Sequence, residues 1–233
     1  MSSLIILKRA LFLLSALTIA AILFSVWVLQ PPPSRPLPPL GATLQSVVLV
    51  VPGESRSGVV DIELVDGQIA RITASSEEEP VAYVLPGLSD AHMHEPMLAL
   101  PGHRRLFAFL HLYHGVTGAR MAAGSSTMRD AIDELEYAGP QMKTCGPFID
   151  GDPPLWPGSL VARDEPSARA AVLEVSAQGF DCIKVYNELT EQASAEVYRA
   201  ASELGLPVIG HVPWRQDMVN AYIDDLQHVL GWA

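Results

Sequence analysis

A chain of 233 residues with a hydrophobic fraction of 49% has material for one large domain or two small ones. Its formal net charge of -11 and pI near 5.0 exclude a nucleic-acid-binding surface, which needs clustered Lys and Arg that are not present. The two cysteines, Cys145 and Cys182, make no disulfide framework; a single bridge between them is left open, and Cys182, inside an apolar strand-like run, is expected rather to pack as a small buried residue.

Residues 1–30 read as a membrane anchor or signal segment. Ala10 to Leu29 is 20 residues long and carries no charge, which matches the hydrocarbon thickness at about 1.5 Å per helical residue. Lys8 and Arg9 precede it, so the positive-inside bias puts everything after Leu29 outside the cytoplasm, in a periplasmic or extracellular space. The alternative is a signal peptide whose cleavage releases a secreted protein. The apolar run is longer than a usual signal core and no small-x-small site follows it, which favours the anchor. Residues 31–42 form a stiff linker, with six prolines between Pro31 and Leu40.

Residues 43–85 change to short β-branched runs, Ser46 to Val51, Val59 to Val65 and Gln68 to Thr73. Asp66-Gly67 between the last two is a hairpin signal, since both residues tolerate positive φ. A small β segment is therefore expected ahead of the main domain, residues 86–233.

That domain opens on Val84 to Glu95, an apolar run interrupted by Pro86-Gly87 and ending in the His92-Met93-His94 triplet. Alternate residues of a strand face the same way, so Asp90, His92 and His94 are expected on one side, with the two imidazoles able to converge on a divalent ion such as zinc. Helical and strand patterns then alternate. The predicted strands after Leu88 to His92 are Val116 to Met121, Met142 to Cys145, Cys182 to Tyr186, Pro207 to His211 and Leu226 to Val229. Predicted helices cover Gly102 to His114, Thr127 to Tyr137, Pro166 to Gln178 and Glu191 to Leu204, with a short one near Asp217 to Ile223. A proline-rich loop is expected from Gly146 to Asp164. This alternation implies a parallel sheet of six strands. His211 ends the fifth strand and His228 lies in the sixth, where a (β/α) barrel places its active-site residues.

Lys184 shares a strand face with Cys182 and Tyr186, and an unpaired buried ammonium is costly. One chemical resolution is conversion of the amine by carbon dioxide to a carbamate, an oxygen ligand able to bridge two metals. The bland alternative is a lysine reaching solvent or Glu188. Arg120 is expected to enter the barrel mouth and pair with a carboxylate. His111 and His114, three apart on a helix, are read as structural.

The series L-P-G-L-S-D-A-H-M-H, H-G-V-T-G-A-R, G-F-D-C-I-K-V-Y-N, V-I-G-H-V-P and D-L-Q-H-V resembles the metal-dependent amidohydrolase superfamily. The branch it is most similar to holds imidazolonepropionase-like and Xaa-Pro or Xaa-Arg dipeptidase-like proteins. The resemblance implies an α/β fold: a partial TIM-type (β/α) barrel with about six of eight strands beside a small N-terminal β-sandwich, preceded here by the transmembrane helix. It implies two divalent metals, zinc by preference, with His92 and His94 on one, His211 and His228 on the other, and carboxylated Lys184 between them. A metal-bridging hydroxide would attack an amide, cyclic amide or dipeptide, with Tyr186 and Trp156 lining the substrate pocket. The family's general acid/base is an aspartate ending an eighth strand. None stands at such a place here, so the catalytic group is left unassigned and the chain is expected to be C-terminally truncated. The alternative function is an inactive remnant or binding module. An oligomer is left open.

Overall fold

The computed structural model describes residues 2–28, 41–95, 103–124 and 139–228. Helix α1, Ser2–Val28, contains a stretch, Ile5–Trp27, long and apolar enough to cross a membrane by length and composition. Its hydroxyls bond back into the helix, Thr18 Oγ1 to the Leu14 carbonyl at 2.9 Å and Ser25 Oγ to that of Ala21 at 2.8 Å. Neither is left unsatisfied in an apolar setting.

The chain divides into two compact units, one over Pro31–Leu88 and the other over the remainder. In the first, β1 (Ala42–Leu49), β2 (Val59–Val65), β3 (Gln68–Ala74) and β4 (Ala82–Val84) form a sheet in the order β3-β2-β1-β4. β2 and β3 are the expected hairpin, with Val65 opposite Gln68. Asp66 and Gly67 take φ of 51° and 73°, the double left-handed geometry that suits the strand twist. The described residues of this unit form a single sheet, and β4, parallel to β1, has no counterpart among the predicted runs.

The second unit carries the parallel sheet. Its strands are β5 (Leu88–Met93), β6 (Val116–Met121), β7 (Gln141–Asp150), β8 (Leu160–Val161), β9 (Cys182–Val185), β10 (Val208–Gly210) and β11 (Asp225–Leu226). The order β11-β10-β9-β7-β6-β5 follows the chain, with β8 paired to β7 at the side. Helices α2 (His103–Tyr113), α3 (Glu165–Ala177) and α4 (Glu191–Glu203) provide connections. Gly115, at φ 78°, closes α2, and Asp164 and Thr190 cap α3 and α4 with their side-chain oxygens. The helix predicted over Thr127 to Tyr137 lies outside the described residues.

Alternation along β9 separates two layers. Ile183 and Val185 join Val172, Val175, Val197 and Ala201 in the core between sheet and helices, while Cys182 packs with Ala122, Cys145 and Ile209 on the other face. The sheet curls: Arg120 on β6 pairs with Asp225 on β11, although three strands lie between them in the sheet order. This is a half barrel, whose inner face carries Cys182 and Lys184.

Four expectations need correction. β7 runs to Asp150, through the start of the predicted loop. The register shift between Cys145 and Phe148 lets the strand bend and continue, and a Cβ at Gly146 would stand 2.6 Å from Val175 of α3. The last strand is Asp225–Leu226, so His228 follows it rather than lying within it, and the short helix before it is a single 3-10 turn, Met218–Asn220. Cys145 and Cys182 are disulfide-bonded. They face each other in the register of adjacent strands, Cα atoms 4.4 Å apart, a juxtaposition that the long gap in sequence conceals.

Candidate metal centre

His92 is the penultimate residue of β5, and Asp90 fixes its backbone by accepting from the His92 amide at 3.0 Å. The other oxygen of Asp90 lies 3.7 Å from His111 Nε2 of α2, and His111 Nδ1 donates to the Phe107 carbonyl, so His111 has a structural place. His92 Nε2 and His94 Nε2 stand 3.1 Å apart. Two nitrogens each 2.0–2.1 Å from a tetrahedral zinc ion would stand about 3.3 Å apart. The pair therefore has the bite of two ligands on one ion.

The strands bring two more imidazoles to this pair. Ring centroids run from His94 to His92 at 5.0 Å, from His92 to His228 at 4.5 Å and from His228 to His211 at 5.1 Å. His228 takes φ 67°, a conformation outside the strand that carries its ring into this row. His211 depends on Gly210, where a Cβ would meet the Val185 carbonyl at 2.3 Å; glycine lets β10 lie against β9 just before the histidine. The rings meet as successive pairs. Among the described residues, no three His, Cys, Asp or Glu side chains close around a point as a ready metal-holding group.

Lys184 is the further donor on this face. It is 1% exposed, and its Nζ has no hydrogen-bond partner among the described residues. Burial, and then the nearby Arg120 guanidinium, push its pKa down to about 8 against the weaker opposing pull of Asp225. Burial likewise lowers His211 to about 4, helped by the positive charge of Lys184 and by the neighbouring imidazoles. His92 and the more open His94 are lowered in the same direction, again by burial first. These three rings are thus neutral at pH 7, the state in which an imidazole binds metal. The fit to a divalent ion is one of chemistry: neutral nitrogen donors, a lysine amine driven toward its neutral form, and no buried charge to balance it at Nζ.

This fold recurs in solved structures. The chain is similar to bottromycin amidohydrolase, at 25% identity and a TM-score of 0.71, over 86% of this chain and 47% of that one. It is also similar to a Xaa-Pro dipeptidase with methionine bound in its active site, at 20% identity and a TM-score of 0.63, over 80% of this chain and 61% of that one. Another amidohydrolase matches at 18% identity and a TM-score of 0.65, over 80% of this chain and 60% of that one. The fold is of the amidohydrolase type. The structures it resembles are hydrolases, and the chain spans about half to three fifths of their lengths. No protein-family model and no curated protein matches the sequence.

Two residues that the sequence did not single out complete the geometry. Asn187, 6% exposed, accepts from His211 Nδ1 at 2.8 Å through its Oδ1, which leaves His211 Nε2 with its lone pair. Gln227, 7% exposed, accepts from His92 Nδ1 and does the same there. Gln227 is itself held, donating to Asp225 Oδ1 at 2.6 Å, and Asp225 pairs with Arg120, whose Nε donates to the Ala91 carbonyl at 2.9 Å. Adjacency was the only available signal: Asn187 ends the Lys-Val-Tyr-Asn run and Gln227 precedes His228. Partners of this kind fix ring orientation and tautomer, and losing one typically costs about 10–100-fold in metal affinity. Asn187→Ala is expected to weaken zinc binding by about that factor, measured by competition with a chromogenic chelator, while leaving the far-UV circular dichroism unchanged.

Proposed function

We propose that this chain belongs to a metal-dependent hydrolase of carbon-nitrogen bonds in amides, cyclic amides or dipeptides. In this reading His92 and His94 hold one divalent ion, His211 and His228 a second, and Lys184, carboxylated by carbon dioxide, stands between them. The observation that carries it is Lys184: a lysine 1% exposed with an unpartnered amine, beside a row of imidazoles. A lysine has no structural gain from such a place, since its charge is desolvated and its donors are unused. An amine of pKa about 8 is about a tenth neutral at pH 7. The neutral amine is the form that adds to carbon dioxide, making an N–C bond and releasing one proton.

When bound, the ions supply Lewis acidity toward water and toward the scissile carbonyl, and zinc suits this mainly nitrogen donor set. The protein's part is placement. Asn187 and Gln227 keep the ring lone pairs turned to the site. Tyr186, whose ring lies 4.5 Å from that of His211, accepts from Trp156 Nε1 at 2.9 Å and so keeps its own phenol proton for an acceptor on the substrate. We further propose that α1 is an uncleaved anchor and that the remainder lies outside the cytoplasm. The Cys145–Cys182 bridge supports the placement outside the cytoplasm, because such bonds persist in oxidising compartments.

Protein purified with added zinc and bicarbonate is expected to hold up to two ions per chain and to hydrolyse members of a panel of dipeptides, N-acyl amides and lactams, with activity lost on chelation. Unchanged metal stoichiometry after His92→Ala combined with His211→Ala would overturn the assignment.

A further inference from the structure

The row of imidazoles does not stop at His211. Tyr186 lies 4.5 Å from it, Phe148 lies 4.6 Å from Tyr186, and Trp156 lies 6.5 Å from Phe148 with its plane tilted by 20°. Phe148 is opposite Lys184 in the β7–β9 register, so this aromatic shelf begins at the level of the proposed metal bridge. It remains open: Trp156 is 49% exposed, beside Leu155 at 44%.

A loop tryptophan that merely covered the barrel rim would need no special support. This one is held by Asp150, a fully buried carboxylate at the end of β7. Its Oδ1 accepts from the Gly151 amide at 2.9 Å and the Glu188 amide at 2.7 Å, and its Oδ2 accepts from the Leu155 amide at 2.9 Å. One side chain thus ties the Trp156 loop to the segment that follows Tyr186. The two backbones touch, since a Cβ at Gly151 would fall 1.8 Å from the Glu188 carbonyl. The shelf is preorganised, which lowers the ordering cost of anything that stacks on it.

Apart from the Tyr186 phenol, its chemistry is apolar. The Trp156 N–H is taken up by Tyr186, and the nearby Asp152 and Arg163 bond each other at 2.7 Å. What the shelf offers is aromatic faces, and ring pairs stabilise beyond the area that they bury.

We infer that Phe148, Trp156 and Tyr186 form a subsite for an uncharged aromatic side chain on the substrate, beside the bond to be cleaved. This rests on the hydrolase reading for the word substrate, but its test does not. A cationic side chain would also be drawn to aromatic faces, and is therefore one arm of the comparison. Binding of N-acetyl-L-phenylalaninamide, N-acetyl-L-alaninamide and N-acetyl-L-argininamide is measured by calorimetry on the full zinc-loaded chain in detergent. The phenylalanine compound is expected to bind at least about tenfold tighter than the alanine compound, since an aromatic side chain adds both buried area and ring stacking. That advantage is expected to fall to under about threefold in Trp156→Ala and to survive in Trp156→Phe. Equal affinities, an advantage untouched by Trp156→Ala, or tightest binding of the arginine compound would each overturn the inference. Ammonia release from the same compounds is followed separately: aromatic preference in binding with no turnover of any amide would count against the hydrolase reading and leave the subsite standing.

Discussion

Replacing Lys184 by methionine is expected to make the metal-free protein more stable and to remove its capacity for a second ion. The two outcomes have one cause. The ammonium is desolvated and unpartnered, and its drop from the ordinary 10.5 to about 8 corresponds to roughly 3 kcal/mol of unfavourable burial in the charged form. A methionine of similar length fills the same space without a charge, as when buried ionic groups give way to apolar ones. The pH dependence separates this cause from general repacking. Below about pH 8 both the folded and the unfolded chain hold the lysine proton, and the folded state carries the full cost. Between about pH 8 and 10.5 the unfolded chain binds more protons, so this group makes stability rise with pH across that window and level off above it. Urea unfolding at pH 7 and pH 10 is expected to show Lys184→Met gaining about 2–4 kcal/mol over the parent at the lower pH and much less at the higher. With zinc and bicarbonate the ranking is expected to reverse, because the parent gains the stabilisation of a second ion that the variant no longer holds. A methionine variant that is less stable at pH 7 without metal would mean that the amine has a partner in solution.

The sequence made the barrel legible because its signals are local. Parity along Cys-Ile-Lys-Val-Tyr placed Ile183 and Val185 against the helices and Lys184 on the inner face, and the core is divided that way. Asp66-Gly67 specified its turn by conformational tolerance alone. The histidines were visible for the same reason, each standing in or just after a predicted strand. What stayed hidden depends on register and on closure. Gln227 reaches His92 only because the sheet curls, and Asn187 reaches His211 only because Gly210 lets two strands approach. Asp150 falls inside the predicted loop, and nothing in its neighbours reveals that a segment 38 residues later would come to its carboxylate. The reading of Cys182 as a lone packed thiol failed in the same way: its place in a buried strand was right, and its partner was a matter of strand pairing.

That bridge gives the second large effect. Cys145 and Cys182 are 0% and 2% exposed and 37 residues apart, and closing a loop of that length restricts the unfolded chain by about 3–4 kcal/mol in the chain-entropy account. The Cys145→Ala, Cys182→Ala pair keeps the small apolar packing against Ala122 and Ile209, so its cost is expected to be near that value, about 2–4 kcal/mol in urea unfolding. Serine in both places is expected to cost more, because two hydroxyls would enter an apolar layer. The consequence reaches the site. Two residues beyond Cys182, Lys184 lies opposite Phe148, so slackening the β7–β9 pair is expected to weaken zinc binding and aromatic binding together. Thiol titration of the denatured chain before and after reduction decides the premise: the parent is expected to show no free thiol until reduced and two afterwards. Two free thiols without reduction, or an alanine pair as stable as the parent, would restore the reading of Cys182 as a packed thiol. It would also remove the bond's support for placing the chain in an oxidising compartment.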